Sequence, residues 1–160
     1  MAIFPIITGA QTEILHRKAQ KVKDPSSPEI TRLIEDMFDS MHAASGMGLA
    51  APQINHSVRV AVIEHDHKRF AYINPTLTSL SKEKVLFEEG CLSLPDQFFW
   101  IERSECVTVR YQNEKGEDVK EKLSDIMAIA IQHEIDHLEG ILIVDRYKKQ
   151  KPNPHTPVWR

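Results

Sequence analysis

The chain has 160 residues, of which 41% are hydrophobic, which is the length of one domain and enough apolar side chain for a sizeable core, so a multi-domain reading is excluded. A formal charge of −3 and a pI near 6.2 give no global pull toward DNA, RNA or a membrane surface. No apolar run approaches the roughly 20 residues that span a bilayer, and Met1 to Ala10 has no basic n-region, so a cytoplasmic protein is expected, or an organellar one if a transit peptide has been removed.

In chain order, Asp24-Pro25-Ser26-Ser27-Pro28 reads as a turn and a helix start, with Ser26 or Ser27 as cap and Pro28 in the first turn. The predicted helix runs to about Ala44 and ends at Gly46. Ile30, Leu33, Ile34, Met37 and Met41 recur along it at helical spacing, a core stripe. Gly46-Met47-Gly48-Leu49-Ala50-Ala51 formally satisfies GxGxxA. A dinucleotide site is rejected because the motif follows a helix instead of a strand and Pro52 blocks the helix a pyrophosphate needs. Its small residues either let backbone approach a substrate or simply make a turn.

Short strands follow, with Val58, Val60 and Val62 alternating against Arg59, Ala61 and Ile63, and later Val107, Val109 and Tyr111. Asn74-Pro75 and Lys115-Gly116 are predicted as the turns between strands. Cys91 follows a predicted strand, and Cys106 in an alternating strand reads as a packed residue. Two cysteines are too few for a disulfide framework, and a reducing compartment keeps a thiolate available. The last predicted helix starts at Ser124 as N-cap and stops with Gly140 just past its end. Strands around two helices without regular βαβ spacing predict an α+β fold, antiparallel or mixed sheets packed on that last helix.

That helix carries His133-Glu134-Ile135-Asp136-His137, an HExxH signature. Histidines four apart lie one turn above each other and can grip one metal ion, while Glu134 stands where a general base takes a proton from an activated water. The apolar Ile126, Met127, Ile129, Ala130 and Ile131 before it argue against an ordinary solvated helix. A catalytic ion of this kind usually takes three protein ligands. The metzincin pattern fails at Ile143, and too little chain follows His137 for a downstream carboxylate helix. Cys91 is therefore the third candidate ligand, against the plainer fate of a buried free cysteine. A thiolate and two imidazoles suit zinc, ferrous iron, cobalt or nickel, and spacing does not choose. Ile126, Ile129 and Ala130 share the face of His133 and His137, which is either core packing or the wall of an apolar pocket.

Three segments in order, Gly46-Met47-Gly48-Leu49-Ala50-Ala51-Pro52-Gln53, Glu89-Gly90-Cys91-Leu92-Ser93 and Gln132-His133-Glu134-Ile135-Asp136-His137, resemble the motifs of peptide deformylases. With Ile14-Leu15-His16-Arg17, the resemblance covers about residues 5 to 146. It implies one catalytic domain over 1–146 with a short basic, Pro-containing tail over 147–160. It implies removal of the N-formyl group from formyl-methionyl nascent peptides, with Cys91, His133 and His137 as ligands of one divalent ion. Fe2+ is expected, with Zn2+, Ni2+ or Co2+ able to substitute. Glu134 is then the acid/base, and the Gln53 amide and Leu92 backbone N–H hold the formyl oxygen. Gly46, Gly48, Glu89 and Ile129 are the expected substrate-binding residues, Ile129 beside the methionine side chain, and Glu89 also pairs with Arg103 near Cys91. Two departures stand out: Phe98-Phe99-Trp100 after the cysteine motif, where many members have glycine or arginine, and Lys151-Pro152-Asn153-Pro154, which interrupts a tail shorter than the ribosome-docking helix of many bacterial members. Transient ribosome contact then falls to Arg146, Lys148, Lys149 and Lys151 acting on phosphates, against the plainer reading of a solvated chain end.

Overall fold

A computed structural model describes residues 2–152. The end of the expected tail, 153–160, lies outside the described residues. Helix α1 spans Pro28–Ala43, where Ser27 Oγ accepts from Ile30 N–H at 3.3 Å and caps the first turn. Its stripe of Ile30, Leu33, Ile34, Met37 and Met41 is buried as the spacing predicts. The left-handed residue that ends it is Ser45 (φ 57°), not Gly46. Ser45 N–H bonds to His42 O and Gly46 N–H to Met41 O, a Schellman closure in which a serine takes the place glycine usually fills. Gly46 is small for another reason: a Cβ there would meet Leu92 Cδ1 at 2.6 Å.

Strands β1 (Gly48–Ala50), β2 (Val60–His65), β3 (Lys68–Leu80), β6 (Cys106–Gln112) and β7 (Asp118–Ser124) form one sheet in the order β1-β2-β3-β6-β7, every pair antiparallel. Strands β4 (Lys84–Cys91) and β5 (Leu94–Ser104) form a separate antiparallel hairpin. The alternation of Val60 and Val62 against Ala61 and Ile63 in β2 does not divide a buried face from an open one, since all four are 0% exposed. Both faces are covered: Val60 and Val62 pack with α1, and Ile63 packs with the next helix, α2 (Asp125–Leu138). Asn74-Pro75 does not separate strands. It is a bulge inside β3, where Asn74 takes φ 53° and the register slips between Ile73 and Thr76. The carboxamide of Asn74 closes the bulge by accepting from Val22 N–H and donating to Val22 O and Gln112 Oε1. Lys115-Gly116 is a turn, with Gly116 at φ 78° between β6 and β7.

Ser124 occupies the N-cap position of α2, yet its hydroxyl makes no cap bond. Gly140 (φ 75°) closes the helix as expected, its N–H on His137 O and that of Ile141 on Asp136 O. A side chain there would strike the backbone of His16. This helix is not the last. Helix α3, Ile143–Lys149, follows after Leu142, so the expected tail begins inside a helix. Leu142 and Ile143 are buried with Leu15, Leu94 and Ile101, which seats α3 under β5. The architecture is α+β with antiparallel sheets. No helix among the described residues is long and apolar enough to cross a membrane.

Candidate active site

Helix α2 is buried on nearly every side, so the polar residues of its second half must find partners inside the protein. Gln132 grips the hairpin: its Oε1 accepts from Ser104 N–H at 3.1 Å and its Nε2 donates to Ser104 O at 2.9 Å. That clasp holds the end of the hairpin where Ser104 faces Lys84 against α2, and at the hairpin's other end Cys91 reaches the histidines. Cys91 Sγ lies 3.3 Å from His137 Nε2, which lies 3.2 Å from His133 Nε2, and all three candidate ligand atoms fall within 4.8 Å of one another. Tetrahedral ligands at ordinary Zn–N and Zn–S lengths stand about 3.3–3.5 Å apart, so the donors fit one divalent ion. The donor chemistry agrees, since a cysteine sulfur and two imidazole nitrogens converge there. Burial and the neighbouring charges of His133 and Arg103 hold His137 well below its ordinary pKa. Burial pushes His133 down as well, but its bonds to Cys91 and Glu89 and the charge of Glu134 outweigh it and hold that ring well above, so a bound ion would displace the His133 proton.

His133 is oriented from behind. Its Nδ1 lies 2.8 Å from Glu89 Oε1, which directs Nε2 toward the cluster. Arg103 forks onto both oxygens of Glu89 at 2.8 and 2.9 Å, so the Glu89–Arg103 pair expected from sequence is present. Burial pushes the Glu89 carboxyl up, but the bonds from Arg103 and His133 outweigh it and hold the group at about 2. Glu89 borders the cavity, and its oxygens are committed to Arg103 and His133. Arg103 also donates to Asp136 at 2.6 Å, and Asp136 takes both arms of Arg146 at 2.9 and 2.5 Å.

In front of the cluster lies a cavity of about 640 Å³. Ile126, Ile129, Ala130, His133 and Glu134 line one side, Gly46 and Gly48 another, and the hairpin with Phe87, Cys91, Leu92 and Phe98 the third. Glu134 is 4% exposed and its Oε2 has no hydrogen-bond partner, an isolated carboxylate beside the candidate ligands. Burial pushes it up to about 7, with the charge of His133 opposing. It fits because residue 48 is glycine, since a Cβ there would collide with Glu134 Oε1. Gln53 sits in a short helical turn, Ala51–Ile54, where Ala50 N–H donates to its Oε1 at 2.9 Å. Its Nε2 is thereby turned to the site, 3.1 Å from Ser93 Oγ and 3.8 Å from Cys91 Sγ.

The structure therefore brings together every residue singled out in the sequence: Gly46, Gly48, Gln53, Glu89, Cys91, Leu92, Ile129, His133, Glu134 and His137. Sequence reasoning missed Asp136, Arg146 and Ser93 as parts of the site. Asp136 stood inside the quoted motif and Ser93 at the end of another, but no spacing rule says what either touches. Arg146 was read as a cation at a chain end.

The profile of the family described as Polypeptide deformylase matches residues 4–153. The peptide deformylase of Heliobacterium modesticaldum is 43% identical over 152 residues, covering 95% of this chain and 99% of that protein. The crystal structure of peptide deformylase from Thermotoga maritima superposes with a TM-score of 0.87 at 38% identity, covering 91% of this chain and 98% of that one. A class I type b peptide deformylase from Acinetobacter baumannii, crystallised with Met-Ala-Ser bound, superposes with a TM-score of 0.85 at 33% identity, covering 91% and 99%. The chain belongs to the polypeptide deformylase family, the hydrolases that remove the N-formyl group from newly synthesised polypeptides.

Proposed function

We propose that this chain performs that hydrolysis in the cavity in front of Glu134, with the HExxH helix as the central element of a single catalytic domain. Cys91, His133 and His137 hold one divalent ion, Fe2+ by family resemblance, with Zn2+, Ni2+ or Co2+ able to substitute. When bound, such an ion lowers the pKa of a coordinated water and polarises a carbonyl oxygen. Glu134, desolvated and free of partners, takes the proton of the attacking water and returns it to the departing amine. The observation that carries this reading is that isolated carboxylate, seated on Gly48 beside three converging ligand atoms.

The Gln53 amide donates to the formyl oxygen as negative charge develops there, joined by Leu92 N–H. Its orientation supports the role, because Ala50 N–H fixes the oxygen end and leaves the NH2 end facing the cluster. A glutamate at 53 would present only acceptors. Ile126, Ile129 and Ala130 receive the methionine side chain, and Gly46 and Gly48 let the peptide backbone approach closely. The A. baumannii relative, crystallised with Met-Ala-Ser, supports a methionine-first peptide as occupant. Glu89 supports His133 in place of touching substrate. The chain works in the cytoplasm on nascent peptides, and any ribosome contact falls to Lys148, Lys149 and Lys151, since Arg146 is engaged with Asp136.

The test is release of formate from formyl-Met-Ala-Ser by anaerobically purified, Fe2+-loaded chain, with acetyl-Met-Ala-Ser as control. The formyl carbon bears only hydrogen, so release from the formyl peptide alone is expected. Equal cleavage of both, or cleavage of internal amide bonds, would contradict the reading.

A further inference from the structure

Four charged side chains from four different elements form one unbroken line of hydrogen bonds between the protein surface and the metal cluster. It starts on α3 with Arg146, whose Nε and NH2 take the two oxygens of Asp136 at 2.9 and 2.5 Å. Asp136 Oδ2 accepts from Arg103 NH1 at 2.6 Å, and Arg103 spends its other arm and Nε on Glu89. Glu89 Oε1 ends the line on His133 Nδ1 at 2.8 Å. The three inner members are 4–6% exposed, whereas the Arg146 side chain is 47% exposed. Two carboxylates and two guanidiniums balance to zero. Without Arg146 the remaining three, each 4–6% exposed in the intact protein, sum to −1, and Arg103 must answer two carboxylates alone. Its hold on Glu89 then slackens, and with it the orientation of the His133 ring.

We propose that Arg146 is a positioning residue for the metal centre: through Asp136, Arg103 and Glu89 it fixes the His133 imidazole, so that the Arg146–Asp136 ion pair sets how tightly a divalent ion is held. The proposal rests on reading Cys91, His133 and His137 as the ligands. Arginine suits the position because a two-armed grip on Asp136 needs parallel N–H groups that a lysine lacks.

The experiment follows release of Co2+ from the loaded full chain to excess chelator, read from the cobalt–thiolate and d–d absorption bands well below each variant's Tm. Arg146→Met is expected to lose Co2+ about 10-fold faster than wild type, the lower end of what outer-shell changes cause. Arg146→Lys, which restores the charge without the fork, should fall between. Tyr147→Ala removes a ring that packs on Phe99 at 5.2 Å and so loosens α3 without touching the charges; it should release Co2+ at the wild-type rate. Release from Arg146→Met at the wild-type rate, or equal acceleration in Tyr147→Ala, would overturn the proposal. Should Arg146→Met fail to fold, Arg146→Lys decides alone, an unchanged rate counting against it. A wild-type chain that shows no cobalt–thiolate band refutes the ligand assignment itself, and the proposal falls with it.

Discussion

The two sides of the candidate metal cluster are built by opposite means. Behind it, Glu89, Arg103, Asp136 and Arg146 fill the space with charge, and every carboxylate oxygen there has a partner. In front, side chains are withheld: Gly46 and Gly48 leave room, Glu134 has an oxygen with no partner, and Phe98 on the hairpin stands 63% exposed. The rear commits its polar groups to one another and to His133, whereas the front leaves its own uncommitted. Damage behind should therefore register as lost stability or lost metal, and damage in front as lost turnover with the fold intact.

The largest effect expected from breaking that contrast is at Arg103. Arg103→Met leaves Glu89 and Asp136 buried with too little compensation and should lower the unfolding free energy by about 3–5 kcal/mol, read from urea denaturation. A loss below about 1 kcal/mol would show that the rear network is not structural. Next comes Gly48→Ala, on the front side. Its methyl group displaces the Glu134 carboxylate, so kcat/KM should fall about 10²-fold with metal content unchanged, the scale of an ångström-sized misplacement. Retained activity would mean that Glu134 need not stand where it is seen. The smallest effect is at Phe98. Phe98→Ala should leave stability within about 0.5 kcal/mol, as exposed positions do. It should raise KM about 3-fold for formyl-Met peptides with an apolar second residue, roughly what one partly covered apolar contact contributes. An unchanged KM across a peptide series would remove Phe98 from the peptide path.

The front of the site was legible because its chemistry is local in sequence. Two histidines four apart on a helix, a glutamate between them and a cysteine after a strand mark a candidate metal-binding group by spacing and residue type. The glycines and Gln53 came from the family resemblance, and the fold then supplied their reasons, such as the collision a Cβ at 48 would have with Glu134. The rear was not legible. Its pairs join residues 14, 33 and 10 positions apart, with no periodicity, so Arg146 looked like a basic residue at a chain end. Two fold expectations failed for related reasons. Asn-Pro in β3 satisfies turn chemistry but is absorbed as a bulge, because Asn74 finds its partners on Val22 and Gln112 far along the chain. Helix α3 was hidden by its brevity, since seven residues ending in Tyr-Lys-Lys hold too little apolar pattern to stand out from a tail.

The most direct test of the account is Glu134→Gln, measured for Fe2+ content and for deformylation of formyl-Met-Ala-Ser in the same preparation. Glu134 is assigned to proton transfer and not to holding the ion. The variant should keep its metal while turnover falls by about 10²–10⁴-fold, the usual worth of a positioned acid/base. Turnover within a few-fold of wild type in the metal-loaded variant would contradict the account at its centre.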